Sequence, residues 1–297
     1  MDRRKFIRWT ALSSFASVLL KSGWSEAEEI KPPPASHQSA EAEHLDAMQH
    51  YAELTAGPKA VIGMLVYPGM FLQDLVGPLT VFESLMNREI HLLWKDLDPV
   101  KQDTPGHPTL IPVTPTTAFE QCPEHLDVLF VPGGVPGTFN MMEDETVLKF
   151  LAGKGKTARF VTSVCTGSLI LGAAGLLDGY KATSYWSMRE VLKELGAIPM
   201  QGRIVIDRNR NRNRNRITGG GVTAGIDFGL KIAALLTSET YAQAIQLYLE
   251  YDPQPLFDAG SPEKAPPLAR QFLSDMFAGM VQTAIVTARR AKARLAK

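Results

Sequence analysis

FVTSVCTGSLILGAAGLL, residues 160–177, joins two patterns in one line. Phe160 to Val164 is a short β-branched and apolar run, as expected of a strand buried on both faces. From Thr166 onward, small and apolar residues recur at helical spacing. Cys165, one of only two cysteines in the chain, falls at the join. A side chain on a tight strand-to-helix turn projects over the carboxyl edge of a parallel sheet, where open α/β sheets bind ligands. Such a turn crowds its neighbours, and the residues two away on either side are Ser163 and Gly167. The resulting S-x-C-x-G follows the logic of the G-x-S-x-G nucleophile elbow, with sulfur replacing oxygen. The free N–H groups and dipole of the following helix are expected to lower the thiol pKa and favour the thiolate. The competing reading is a buried, inert cysteine.

Outward from this hinge, strand-like and helix-like runs alternate. AVIGMLVY (60–67), EIHLLWKDL (89–97), LDVLFVPGG (126–134) and ARFVTSV (158–164) read as strands. KATSYW (181–186) reads as a short strand, and RIVID (203–207) with RITGG (216–220) as a hairpin. DLVGPLTVFESLM (74–86), ETVLKFLAGKGK (145–156), SMREVLKELG (187–196), TAGIDFGLKIAALL (223–236) and YAQAIQLYLEY (241–251) read as helices. Residues 98–125, rich in Pro and Thr, fit loop with short strands. The fold class is therefore α/β: a flavodoxin-like three-layer sandwich with a mostly parallel sheet and a nucleophile elbow, over residues 59–255. Residues 256–297 hold the end of a surface segment, DPQPLFDAGSPEKAP (252–266), and a long amphipathic helix. The helix's apolar stripe must pack on its own domain or on a second subunit. DRNRNRNRNRI (207–217) reads as a repeat expansion at the hairpin tip, a solvated loop in preference to an anion-binding tip.

The chain's 297 residues carry zero formal net charge, so composition makes no case for nucleic acid or an anionic surface. Residues 1–27 combine MDRRKFIR with a run of about a dozen apolar residues, too short for a bilayer span of roughly 20. This reads as a twin-arginine export signal, giving a periplasmic protein with no membrane association once the signal is removed. A membrane anchor or a frayed basic terminus is the alternative. Residues 28–58 read as a tether with a possible short helix. Cys122 and Cys165 could pair in an oxidising compartment, yet two cysteines make no disulfide framework and Cys165 is expected to be free.

A nucleophile needs an acid/base partner and donors for developing charge. No histidine follows His125, so candidates come from other strand ends. Asp74 starts the helix after the first strand, where a plain helix cap is the competing role. Gly133 and Gly134 end a middle strand, where their N–H groups can face a ligand or simply make a tight turn. GGGVTAG (219–225) loosely fits a dinucleotide loop but lacks the acidic strand that should follow, and no cluster has metal-ligand spacing.

YPGMFLQDLVGP (67–78), LDVLFVPGG, TSVCTGSLILGAAGLLDGYKATSYW (162–186), ITGGGVTAGIDFGL (217–230) and QLYLEYDPQPLFDAGSPEKAP (246–266) resemble the ThiJ/PfpI superfamily of glutamine-amidotransferase-like proteins. The resemblance spans about 60–267 and is nearest to its isonitrile hydratase branch. It implies a homodimer without cofactor, acting on a small molecule. It also implies Cys165 as nucleophile, with Asp74 and Thr166 as catalytic neighbours, and hydration of R–NC to an N-substituted formamide. The branch usually carries His where this chain has Tyr185, which donates a hydrogen bond but titrates near 10. Gly133, Gly134 and Tyr185 are the candidates for contact with substrate or oxyanion. Two other readings stand beside this one: a small-molecule or oxidant sensor, and a glyoxalase- or deglycase-like hydrolase.

Overall fold

The computed structural model describes residues 37–55, 57–101, 109–209 and 214–296. The paired-arginine segment at 1–27 lies outside them. The chain divides into two units, Met1–Tyr51 and Ala52–Lys297. In the first, α1 (His37–His50) forms the short helix expected of the tether.

The second unit begins with one helical turn, α2 (Ala52–Thr55), and then alternates strands and helices. In chain order these are β1 (Ala60–Leu65), α3 (Leu72–Glu83), β2 (Arg88–Trp94), β3 (Thr117–Ala118), β4 (Val128–Val131), α4 (Gly137–Glu143), α5 (Glu145–Lys154), β5 (Phe160–Ser163) and α6 (Gly167–Ala173). There follow β6 (Lys181–Ala182), β7 (Ile198–Pro199), β8 (Ile204–Asn209), β9 (Arg214–Gly219), α7 (Ala224–Leu236), α8 (Glu239–Tyr248) and α9 (Pro267–Leu295). Seven strands form one sheet in the order β3-β2-β1-β4-β5-β9-β8, parallel throughout except for the β8–β9 hairpin.

Strands β4 and β5 are buried along their whole length, which is why β4 is continuously apolar and β5 carries no charge, its Thr162 hydroxyl donating to the Leu129 carbonyl at 3.0 Å. The core places Ile62, Met64, Leu129, Phe130 and Val161 in the sheet, with Phe82 and Phe228 contributed by covering helices. Each such side chain contributes about 1.5–3 kcal/mol by leaving water. On α7, Gly225 and Gly229 lie one turn apart. A Cβ at Gly225 would sit 3.0 Å from Pro78, and one at Gly229 2.9 Å from Val81, so these glycines let α3 and α7 pack closely. The order of β1, β4, β5 and β9 gathers four carboxyl ends at one edge, and the chain leaves them at Val66, Pro132, Val164 and Gly220.

Three local expectations change. The stretch 187–196 winds as a 3-10 helix over Arg189–Leu195, and Gly196 ends it at φ 83°. KATSYW pairs only through Lys181–Ala182, in a separate two-stranded sheet with β7. The remainder turns away because Thr183 N–H donates to Thr218 Oγ1 and Ser184 to the Cys165 carbonyl. Ladder pairing extends into the Arg-Asn repeat as far as Asn209 opposite Arg214, so part of the repeat belongs to the strands of the hairpin.

Candidate active site

Cys165 adopts φ 54°, left-handed backbone that costs an L-residue about 1–2 kcal/mol. The surroundings hold it there. Its N–H donates to the carbonyls of Gly219 (3.2 Å) and Gly220 (2.7 Å). Its carbonyl accepts from the hydroxyls of Ser168 (3.2 Å) and Ser184 (3.0 Å). A Cβ on Gly167 would lie 2.2 Å from the Val131 carbonyl, so only glycine fits where the elbow enters α6. Both cysteines are free thiols.

Asp74 is fully buried on the first turn of α3 and does not cap it. Its Oδ2 reaches across to β4 and accepts the Gly133 N–H at 2.9 Å. Its Oδ1 is buried without a conventional hydrogen-bond partner among the described residues. The Cys165 thiol is the other group bearing on the carboxylate. Burial raises the Asp74 pKa to about 6 against the opposing pull of that thiol and of the Gly133 N–H.

The thiol itself runs against the sequence expectation. Burial first, then the Asp74 carboxylate, push Cys165 well above its ordinary value, while the N–H groups of Thr166 and Val222 work in the opposite direction. The helix dipole loses because α6 is only seven residues long and burial of the thiol outweighs it. At neutral pH the resting pair is thus a thiol beside a carboxylate, with one proton between them.

Gly133 and Gly134 also differ from expectation. Their N–H groups are spent within the protein, on Asp74 Oδ2 and on Thr166 Oγ1 (2.9 Å), so they orient two site residues instead of facing a substrate. The Thr166 hydroxyl is likewise engaged. Tyr67 donates to the Pro132 carbonyl (3.0 Å), so Thr138 donates to Tyr67 (3.4 Å) and Thr166 donates to Thr138 (2.7 Å). Thr166 therefore acts on the sulfur through its backbone N–H. A Cβ on Gly133 would lie 2.5 Å from Thr166 N and 2.9 Å from Asp74 Oδ2. Gly133→Ala should cost about 1–3 kcal/mol of stability through overpacking, read as a lower unfolding midpoint, with activity falling further because both partners of Cys165 move.

Sequence reasoning missed Val222, Ser184, Thr138 and Tyr67. The signal for Val222 was present in GGGVTAG: glycines at the end of a strand beside the elbow place backbone N–H groups near sulfur whatever the loop's resemblance to a nucleotide motif.

A cavity of about 600 Å³ opens beside the elbow. Ser184, Gly220 and Val222, which touch Cys165 or its sulfur, line it, while Cys165 keeps 6% exposure behind them. Tyr185 forms part of the wall, packed against Gly221 and edge-on to Phe277. Burial raises the Tyr185 pKa and the nearby Cys165 adds to the shift, so its phenol stays a proton donor. Residues Ala259 to Glu263 also line it, so the segment expected to wander over the surface does so at 252–258, which stay exposed, and then becomes part of a cavity wall. Among the described residues no group of three or more His, Cys, Asp or Glu is placed to hold a metal, and no helix is long and apolar enough to cross a membrane.

The DJ-1/PfpI family model matches residues 60–235. An isonitrile hydratase from Pseudomonas putida is 50% identical over 205 residues, covering 69% of this chain and 84% of that protein. The crystal structure of a ThiJ/PfpI family protein from Pseudomonas syringae superposes with a TM-score of 0.74 at 43% identity, covering 89% of this chain and 99% of that one. The HTH-type transcriptional regulator GbdR from Pseudomonas aeruginosa is 32% identical over 176 residues, 58% of this chain and 45% of the regulator.

Proposed function

This chain belongs to the DJ-1/PfpI family, and from that premise we propose that it hydrates an isonitrile, R–NC, to the formamide R–NH–CHO. The observation that carries the reading is the pairing of Cys165 on its elbow with buried Asp74, beside a cavity sized for a small molecule. The 50% identity to an isonitrile hydratase supports the same reaction class.

The chemistry follows from the shared proton. As sulfur bonds to the terminal carbon of R–NC, the thiol proton passes to Asp74. Asp74 then delivers it to that carbon, giving the thioimidate R–N=CH–S–Cys165. The regenerated carboxylate takes a proton from water as the hydroxide oxygen adds to the same carbon, and Asp74 hands that proton to nitrogen. The hydroxyl proton returns to sulfur through Asp74 as the C–S bond breaks, releasing R–NH–CHO and the thiol. A carboxyl group near 6 suits both directions of transfer. The N–H groups of Thr166 and Val222 steady the charge on sulfur when it leaves. Tyr185 takes a donor role at the wall, in keeping with a phenol that does not ionise at neutral pH.

A pH dependence follows. The competent pair holds one proton, so kcat/KM should rise as pH increases through about 6 and stay level to 9, because the raised thiol pKa moves the alkaline limb upward. Initial rates between pH 4.5 and 9.5 check this; a fall between pH 7 and 9 contradicts it.

The reaction is tested by formamide production from cyclohexyl isocyanide. Turnover supports the reading. Consumption of methylglyoxal without formamide would transfer the site to the deglycase-like reading, and tight ligand binding without either reaction would favour a sensor. A homodimer belongs to the same proposal, supported by Leu268, Phe272, Met276 and Met280, which recur at four-residue spacing on α9 and stay exposed.

A further inference from the structure

The proposed reaction consumes only the –NC end of its substrate, and the cavity continues beyond it. The loop that braces the elbow through Ser184 carries Tyr185 and Trp186 along the cavity wall and ends at Arg189, which also lines it. Arg189 opens the 3-10 helix and is only partly buried, yet its Nε is buried and makes no hydrogen bond among the described residues.

The other charges lining the cavity are accounted for differently. Arg203 donates through Nε to Asp227 at 2.6 Å and through Nη2 to the Thr223 carbonyl at 3.0 Å, so its charge is already matched. Arg270 is exposed, and among the described residues its guanidinium reaches only the Pro262 carbonyl, at 3.5 Å. Glu263, the one carboxylate in the lining, is held by its own backbone N–H, by Ser261 and by Gln201 at 2.9 Å, and feels Arg189 through space. With the Arg203–Asp227 pair set aside, two guanidinium groups face one carboxylate already in use. A guanidinium fork matches a carboxylate in two parallel hydrogen bonds.

We infer that the cavity selects isonitriles bearing a carboxylate, the –NC carbon meeting Cys165 and the carboxylate docking on Arg189 past Tyr185 and Trp186. The product would be an N-formyl amino acid, and a reaction that installs an isonitrile on an amino acid's nitrogen must supply the substrate. This rests on the reaction proposed above.

The test compares 3-isocyanopropanoate with its methyl ester. Wild type should favour the acid by tenfold or more in kcat/KM. Arg189→Gln should reduce that ratio at least tenfold, mainly through KM of the acid, and Arg189→Lys should restore part of it. A wild-type ratio near one, or a ratio that Arg189→Gln leaves in place, overturns the inference. Calorimetry gives an answer that needs no turnover: Cys165→Ala should bind N-formyl-β-alanine at least tenfold more tightly than N-formyl-β-alaninamide, and adding Arg189→Gln should erase the difference. Equal binding of the two overturns the anion site. Preferential binding of the acid with no hydration of either isonitrile would retain the site and remove the reaction.

Discussion

Asp74→Asn should lower kcat for isonitrile hydration by about 10³-fold and at the same time raise the unfolding temperature at pH 8. The two effects have one cause. Burial lifts the Asp74 pKa from 3.8 to about 6. The folded protein therefore binds this proton more tightly than the unfolded chain does, and the contribution of Asp74 to stability is greatest below about pH 4. It falls as pH climbs through 6, by up to about 3 kcal/mol. Asparagine keeps the shape. Its carbonyl oxygen can accept the Gly133 N–H while its amide faces sulfur, and it carries no charge to bury. The expected gain is about 1–3 kcal/mol at pH 8, read as a rise of several degrees in Tm, with little change at pH 4. Loss of stability matching the loss of activity would reduce Asp74 to a structural hydrogen-bond acceptor.

Cys165→Ala should bring formamide production down to the uncatalysed background, a loss of at least about 10⁴-fold, because no other group can make the bond to carbon. Alanine inherits φ 54° and its strain, and it removes a small apolar volume, so the unfolding free energy should change by no more than about 1–2 kcal/mol. Cys165→Ser should be equally inactive. A carboxylate near 6 is a far weaker match for a hydroxyl proton than for a thiol proton. Activity in either variant comparable to wild type would place the chemistry elsewhere.

The elbow was legible because two periodicities meet at Cys165 and small residues flank it, a local demand that sequence records directly. The parallel sheet was legible for the same kind of reason: β4 is covered on both faces and leaves an unbroken apolar run, and the equally buried β5 opens on Phe160 and Val161. Asp74 could be singled out at a strand end, but its partner could not. That Gly133 bonds to it, 59 residues further along the chain, depends on β4 lying next to β1. Strand order likewise brings Val222 to the sulfur. The direction of the thiol shift was misjudged because helix position is visible in sequence whereas depth of burial and a facing carboxylate are not. Residues 252–266 carry no periodicity, so nothing in their pattern shows that Ala259 to Glu263 line a cavity while the residues before them cover a surface.

The account stands on a covalent bond between Cys165 and the isonitrile carbon. Wild-type protein mixed with cyclohexyl isocyanide, quenched in acid during turnover and analysed by intact mass, should carry one added substrate mass, located by digestion on the peptide containing Cys165. Turnover that proceeds with no adduct at any quench time, together with formamide formation by Cys165→Ala, would contradict it.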